Sequence, residues 1–443
     1  MSTAVITKPL ALKELLKFSL PIILGQVGIM LIGTGDMIIA GRYSRECLAA
    51  IGLAISIANP IQISLLGFQF ATSPLLAQKR GAGQSIVPYF WTTQLYSFFI
   101  ATISCVLTLL SVKIVPYLNY GPVLTPIIED YLIVTSFSSY GLCLYQGMKE
   151  FFQSEEKTLA ANFVALLAVG VNLILNYALV FGAYGLPALH EIGLAYASLT
   201  VRTFMGIFLF FMAWKWFKSP KNIDWDFMKK MARIGGPISF TLFLEIMAFC
   251  SVTLFVGKFA EIQTAANNLA LNVGSLAFMI PLSISAAVSV KVGHALGERN
   301  FNRVNIFSKV SIATSFIFTV ATGAFFYFFP DVVLSLYTED ILVLEWATKL
   351  LFFVACFQLF DGIQVTMAGI LRGLSITKAP SVAIFIGYWI FGIPIGYYLA
   401  FHRGQEAVGF WVGLAISLAI VAAILGVMLR KHLKALKSNL QAN

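Results

Sequence analysis

Long apolar segments follow one another along most of the chain, and a short polar stretch separates each from the next. The segments lie near residues 13–41, 49–78, 88–113, 126–152, 158–182, 192–217, 228–258, 263–292, 305–328, 342–372, 378–401 and 408–431. Each is long enough for a helix to cross the hydrocarbon core of a bilayer, which takes about 20 residues. The pattern therefore predicts an all-α polytopic membrane protein with twelve transmembrane helices.

The composition agrees with a chain that lies mostly in lipid. Of its 443 residues, 59% are hydrophobic and 11% are charged, whereas ordinary globular domains carry about a quarter charged residues. The polar start of the chain and the long apolar segment after it do not match a cleavable signal peptide. We therefore expect the first helix to remain in the mature protein. The cysteines are scattered singly, so neither a zinc site nor a disulfide framework is indicated.

The net charge of +10 is distributed over alternate connections and does not form one continuous basic patch. Lys and Arg concentrate at the N-terminus, in the even-numbered connections and in the C-terminal tail, and they are scarce on the other side. By the positive-inside rule, both termini are expected in the cytoplasm and the protein in the cytoplasmic (inner) membrane. The lipid bilayer is thus an expected partner, and nucleic acid is not.

An internal repeat is visible on either side of the longest polar segment, which runs from Lys215 to Arg233. At one constant offset, Pro21 matches Pro237, Gly41 matches Gly257, Ala49-Ala50 match Ala265-Ala266, and Gly81 matches Gly297. Six helices in each half give both halves the same orientation, which is typical of transporters with a parallel repeat. We predict an N-lobe at 1–217 with helices 1–6, a cytoplasmic linker at 218–227, and a C-lobe at 228–443 with helices 7–12 and the tail.

Three of the carboxylates inside the predicted helices stand out, namely Asp36, Glu245 and Asp361. A charge at bilayer depth costs roughly 2.5–3.5 kcal/mol, so each is a candidate functional residue. Removal from water penalises the charged form of an acid and favours proton uptake near physiological pH, as a proton-coupled carrier requires. The alternative for each residue is that it pairs with a neighbour or reaches a polar helix end.

Further polar groups of the first half are candidates to act with Asp36. Asn172 and Asn176 are spaced i,i+4 and share one helix face, and Thr200 lies on the next helix. Their oxygens and amides can relay a proton or ligate a sodium ion, and structural hydrogen bonds between helices are the competing interpretation. Pro21 and the glycines after it make the first helix bendable, so a change in the charge of Asp36 can bias its shape.

Motifs for other chemistry were also considered. Gly33-x-Gly35-Asp36 matches the GxGD pattern of intramembrane aspartyl proteases, with Asp361 as a nominal second acid; we keep this as a remote alternative. No Walker A, HExxH or GxSxG pattern occurs in the sequence, so neither ATP hydrolysis nor serine or zinc hydrolysis is indicated. An ion gradient is the expected energy source, which makes the protein an ion-coupled antiporter and not an enzyme. A channel is disfavoured by the lobed repeat and the bendable helix.

A family resemblance is carried by residues from both halves of the sequence. The stretch Phe357-Gln358-Leu359-Phe360-Asp361-Gly362-Ile363-Gln364, followed by Gly369-Ile370-Leu371-Arg372-Gly373, resembles the tenth-helix signature of the multidrug and toxic compound extrusion (MATE) family. Pro21, Asp36, Gly81, Glu245 and Lys378-Ala379-Pro380 extend the resemblance over the whole chain. The presence of Asp36, Glu245 and Asp361 together is similar to the NorM-type branch.

The resemblance implies two pseudo-symmetric six-helix bundles in a V shape around a central cavity. It also implies export of amphipathic, often cationic or aromatic drugs and dyes in exchange for H⁺ or Na⁺. Asp36 would belong to a cation site with Asn172, Asn176 and Thr200, and Pro21 would mark the bend of the first helix. Glu245 and Asp361 would hold cation or substrate in the C-lobe.

The sequence leaves the coupling ion open, with protons favoured. Some relatives have an aspartate where Asn176 stands, and its absence leaves one fewer anionic ligand for sodium. Na⁺ at Asp36, or at Glu245 and Asp361, is the alternative, and no further cofactor and no firm metal site are expected. We expect a monomer. The alternative function is a flippase for lipid-linked substrates of the same superfamily, although acidic residues in the cavity favour cationic cargo.

Overall fold

The computed structural model describes residues 7–338 and 340–441. The outer ends of the predicted lobes, at residues 1 and 443, lie outside the described residues. Among the residues described, helices dominate and no β-strand occurs. The long helices, named α1 to α12 in chain order, are Lys8–Tyr43, Arg45–Gly81, Val87–Val112, Leu124–Ser154, Thr158–Phe181, Ile192–Met212, Trp225–Val256, Glu261–Gly297, Phe301–Phe328, Ile341–Gly373, Lys378–His402 and Glu406–Ser438. The prediction of an all-α polytopic protein is confirmed.

Helix α4 differs in composition from the other long helices. Within the described part of the chain, eleven helices are long and apolar enough to cross a membrane, and α4 is not one of them. Its 31 residues give about 46 Å at 1.5 Å per residue, so its length suffices to span. The polar residues of α4 are mostly buried, and it packs against α2, α3, α5 and α6. A helix shielded from lipid by its neighbours does not need an apolar surface all round.

Helix α7 begins earlier than the sequence pattern indicates. The segment 218–227 is predicted as a linker, but α7 starts at Trp225. Asp224 explains the start, because its Oδ1 accepts a 2.8 Å hydrogen bond from the backbone N–H of Phe227. This is the capping interaction that satisfies a free N–H group in the first turn of a helix.

Contacts divide the chain into two compact units. One comprises the described residues up to Leu20, the segment Ala77–Gly83 and the chain from Phe240 onward; the other comprises Pro21–Leu76 and Gln84–Ser239. Three of the boundaries fall inside α1, α2 and α7, and the fourth falls after Gly83, between α2 and α3. The boundary in α1 falls at Pro21. Helix α1 continues through this proline without interruption. The division into an N-lobe and a C-lobe at the residues given above stays a prediction.

The repeat partners Gly81 and Gly297 lie at a close crossing of α2 and α8, within the first of these units. A Cβ on Gly81 would overlap the carbonyl oxygen of His294, and a Cβ on Gly297 would overlap that of Gln78. Each glycine thus meets the carbonyl three positions before its repeat partner, and only glycine permits such an approach. The reciprocal contact supports the internal repeat.

Candidate functional site

The carboxylate of Asp36 is hydrogen-bonded through both of its oxygens. The side chain lies near the C-terminal end of α1 and is 5% exposed. Its Oδ1 accepts hydrogen bonds from Nδ2 of Asn172 at 3.0 Å and Nδ2 of Asn176 at 2.7 Å. Its Oδ2 accepts a hydrogen bond from Oγ of Ser198 at 2.9 Å. Three neutral groups therefore donate hydrogen bonds to the carboxylate. They stabilise its charged form but do not neutralise the negative charge.

The two asparagines lie one turn apart on α5, as their sequence spacing predicts. Nδ2 of Asn176 also donates to Oδ1 of Asn172 at 3.1 Å. Both side chains are fully buried, and Oδ1 of Asn176 makes no hydrogen bond to any described residue. The sequence hypothesis that Asp36, Asn172 and Asn176 act together thus has a matching geometry.

The structure places Thr200 away from this cluster and Ser198 in it. Thr200 is exposed, whereas Ser198 is buried and bonded to Asp36. Residues two positions apart in an α-helix are rotated by about 200° around its axis, because one turn takes 3.6 residues. The hydroxyls of Ser198 and Thr200 therefore cannot share a face. The sequence predicts the correct helix for this hydroxyl but not Ser198 itself. The i,i+4 spacing of Ser198 and Arg202 is the signal that points to the correct face.

Arg202 lies one turn after Ser198 in α6. Its guanidinium donates to Oε1 of Gln62 at 2.9 Å and to Oγ of Ser138 at 2.8 Å. Its positive charge acts on Asp36. Tyr131 of α4 also faces this cluster and interacts electrostatically with Asp36 and with Arg202. These groups are spread over separate helices, so no local motif in the sequence links them.

Pro21 lies four turns before Asp36, and the intervening part of α1 packs closely on α5. A Cβ on Gly25 would overlap the side chain of Asn162, and a Cβ on Gly28 would lie 3.3 Å from the carbonyl oxygen of Ala165. Because Gly25 and Gly28 have no Cβ, α1 and α5 can approach each other closely here. A bend of α1 at Pro21 would change these contacts.

The second pair of candidate acids comes together on α7 and α10. Glu245 and Asp361 interact with each other, and both interact with the amide of Gln364. Nε2 of Gln364 donates to Oδ1 of Asp361 at 3.1 Å. Two like charges at one site repel each other, so a cation, a proton or a cationic ligand is favoured between them.

These two acids line a cavity of about 100 Å³ whose remaining walls are mainly aromatic and apolar. Its aromatic members are Phe249, Phe278, Phe357, Tyr388 and Trp411. Faces of aromatic rings attract cations, and Trp is the strongest such partner. Pockets that hold drug-sized molecules measure about 300–1,000 Å³, so the cavity suits an ion with a few waters and must widen for a larger compound.

Helix α11 departs from α-helical geometry beside this cavity. Phe385–Gly392 forms π-helical turns, which place Tyr388 in the cavity wall. Nε1 of the neighbouring Trp389 donates to the carbonyl oxygen of Leu244 at 3.3 Å and joins α11 to α7 next to Glu245. Such π-helical turns are rare and frequently mark functional sites. The sequence pattern indicates a helix here but not this winding.

Comparisons with known proteins agree with this architecture. The MatE family model matches residues 21–178 and 237–398. The chain is 30% identical to the probable multidrug resistance protein NorM of Bacillus anthracis over 94% of both chains. It is also 30% identical to the multidrug resistance protein NorM of Vibrio vulnificus, again over 94% of both.

A solved structure has the same fold. The eukaryotic MATE transporter AtDTX14 superposes with a TM-score of 0.87 at 18% identity, over 98% of this chain and 99% of that one. The family model covers most of the chain, and its two matched ranges correspond to the two halves of the repeat. The chain therefore belongs to the MatE family and is a membrane transporter.

Proposed function

We propose that this protein is a secondary active multidrug exporter that exchanges amphipathic cationic or aromatic compounds for protons by alternating access. Asp36 takes up a proton from the acidic exterior while substrate occupies a cavity open to the outside. Helix α1 then bends at Pro21 and substrate leaves. The return to the inward-facing state discharges the proton. The relatives named for multidrug resistance support export of this class of compound.

The observation that carries proton coupling is the environment of Asp36. The oxygens of this buried carboxylate bond to neutral donors, and the guanidinium of Arg202 is hydrogen-bonded to Gln62 and Ser138, so binding a cation is the direct way to neutralise the acid. The cluster offers a single carboxylate, whereas sodium is favoured by several anionic or carbonyl oxygens. A proton needs only one oxygen, so the donor set favours H⁺ over Na⁺.

The cavity between α7 and α10 supports cationic aromatic cargo. Glu245 and Asp361 supply negative charge, and Tyr388 and Trp411 supply ring faces. Lipid-linked anionic substrates would meet repulsion there, so this pair of acids argues against the flippase alternative. We assign the protein to the cytoplasmic membrane with both termini inside, since basic residues concentrate on that side, and we propose that it acts as a monomer.

The test is dye export by purified protein in liposomes under separately imposed proton and sodium gradients. A fluorescent lipophilic cation is followed with wild type, Asp36→Asn and Asp331→Asn. Asp331 is an exposed acid in the short helix Pro330–Leu334 and serves as the matched control. We expect the pH gradient to drive export by wild type and Asp331→Asn, and Asp36→Asn to abolish it.

Three outcomes would overturn parts of this proposal. Export driven by sodium alone would replace the proton as coupling ion. Export driven by the pH gradient and unaffected in Asp36→Asn would move coupling to Glu245 and Asp361. Transport of an anionic lipid-linked compound in place of dye would establish the flippase alternative.

A further inference from the structure

Helix α4 carries a row of buried polar residues along nearly its whole length, and the proposed cycle does not use it. This α4 polar row consists of Tyr131, Thr135, Ser138, Ser139, Gln146 and Glu150, each no more than 6% exposed. From Tyr131 to Glu150 the helix rises about 28 Å at 1.5 Å per residue. That distance nearly equals the roughly 30 Å hydrocarbon core of a bilayer. The row therefore spans the hydrocarbon core inside the protein, with one gap of about 10 Å between Ser139 and Gln146.

The outer end of the row meets the Asp36 cluster. Tyr131 interacts electrostatically with Asp36. It also lies beside Ser198, whose hydroxyl donates a hydrogen bond to Oδ2 of Asp36. About two turns further along α4, Ser138 accepts the 2.8 Å hydrogen bond from Arg202. Hydroxyl groups of α4 thus adjoin the polar groups that hold Asp36.

The middle of the row faces Gln69 of α2, a residue with no evident structural role. Gln69 is fully buried, and its side-chain amide meets the thiol of Cys143 in α4 without a well-formed hydrogen bond to it or to another described residue. It points at α4, because a Cβ on Gly147 would lie 3.5 Å from its Oε1. A buried polar group left unpaired costs about 1–3 kcal/mol, and internal water molecules are the usual partners of such groups.

The inner end of the row is an acid. Glu150 is 4% exposed and lies in the last turns of α4. Its Oε1 accepts a 2.7 Å hydrogen bond from Nε2 of Gln146, and its Oε2 accepts one from Oγ of Ser73. Lys149 is the adjacent buried cation. By the positive-inside rule this end of α4 faces the cytoplasm.

We propose that the α4 polar row conducts the proton from Asp36 to the cytoplasm, with Glu150 as the last acceptor. This inference rests on the proposed function, because it requires Asp36 to be the proton-binding residue. The O–H bond of the Asp36 acid breaks and leaves a carboxylate, and the proton passes to water held by the hydroxyl and amide groups of the row. The Glu150 carboxylate takes up a proton from this water and loses it to cytoplasmic water. Arg202 and Lys149 are the fixed positive charges along the way.

Gln69→Leu is the sharpest test. Replacing an unpaired buried amide with an apolar side chain of similar size should leave stability equal or higher, so a purely structural role predicts normal transport. The proposal predicts a fall of about tenfold or more in export driven by a pH gradient, the scale on which positioned proton-transfer groups act. Exchange of dye for dye across liposomes without a pH gradient needs no proton release and should keep its wild-type rate.

Glu150 is tested by paired substitutions. Glu150→Gln should lower export driven by a pH gradient about tenfold or more, and Glu150→Asp should restore most of it. Glu155→Gln removes a nearby acid that pairs with Lys157 at the surface, and it should transport normally. Thermal unfolding of each variant is measured in parallel. If Glu150→Gln does not fold, the result with Gln69→Leu decides.

The outcomes separate this inference from the proposed function. Normal proton-driven export by Gln69→Leu and Glu150→Gln, together with an inactive Asp36→Asn, would overturn the path and leave Asp36 as the coupling residue. Proton-driven export that survives in Asp36→Asn would overturn the proposed function itself. Equal losses of dye exchange and proton-driven export in Gln69→Leu would also overturn the path, because they indicate a general defect.

Discussion

Asn176 donates its Nδ2 to Oδ1 of Asp36 at 2.7 Å, the shortest of the three hydrogen bonds to this carboxylate. The donor and the acceptor lie 140 positions apart in the chain and belong to α5 and α1. The amide nitrogen occupies the place where a second carboxylate or a metal ion would meet Asp36. The identity of this one side chain therefore bears directly on which cation the cluster can hold.

Asn176→Asp should give the transporter a response to sodium. A second carboxylate next to Asp36 adds an anionic ligand, and a unit charge at 4 Å contributes about 4 kcal/mol at an effective dielectric constant of 20. We expect an imposed sodium gradient to drive dye export by the variant and not by wild type. The measurement uses equal pH on both sides, with a potassium gradient as control. A variant indifferent to sodium would show that ion choice is set elsewhere.

Ser198→Ala should impair proton-driven export about tenfold or more, because a hydrogen bond to a charged group is worth about 1.5–3 kcal/mol. The substitution removes the donor to Oδ2 of Asp36. Thr200→Ala is the matched control on the same helix, since Thr200 is exposed. Initial rates of dye export under a fixed pH gradient compare the two. The reverse ranking would restore Thr200 as the functional hydroxyl.

The sequence predicts where the helices lie along the chain better than it predicts which face of each helix packs against its neighbours. Hydropathy indicates each long helix because burial in lipid imposes an apolar surface, and the charged acids stand out against it. Asn172 and Asn176 could be assigned to Asp36 because their spacing places both on one face. Thr200 is the hydroxyl expected from the sequence and Ser198 is the one that bonds to Asp36, because hydropathy does not fix which face of α6 points at α1. That choice depends on packing between helices distant in the chain.

Helix α4 and the cavity near α11 show the same limit. Segment 126–152 is predicted as an ordinary transmembrane helix, yet its buried polar residues make it an exception to the hydropathy pattern. Tyr388 and Trp411 do not stand out in a chain with 39 phenylalanines. They gain significance only where the π-helical winding of α11 brings ring faces toward Glu245 and Asp361.

Gly81→Ala and Gly297→Ala should each destabilise the protein by about 1–3 kcal/mol, the usual effect of overpacking. Either Cβ would overlap a backbone carbonyl of the facing helix, and backbone cannot move aside as a flexible side chain can. Gly170→Ala is the control, since nothing lies within 4 Å of the added methyl group; it should be neutral or stabilising. Thermal unfolding in detergent gives the ranking. Equal midpoints for all three variants would show that the crossing is looser than described.

Asp361→Asn should weaken binding of lipophilic cations more than binding of neutral aromatic compounds. Asp361 and Glu245 supply the negative charge of the cavity, while Phe249, Tyr388 and Trp411 supply ring faces that also accept neutral ligands. In a site shielded from water, loss of one negative charge should weaken cation binding by about 1.4 kcal/mol or more. That free energy corresponds to a cation affinity lower by about tenfold or more. Trp411 lines the cavity, so quenching of tryptophan fluorescence by tetraphenylphosphonium and by a neutral analogue of similar shape reports both affinities. Equal weakening of the two ligands would instead assign Asp361 a role in holding the cavity open.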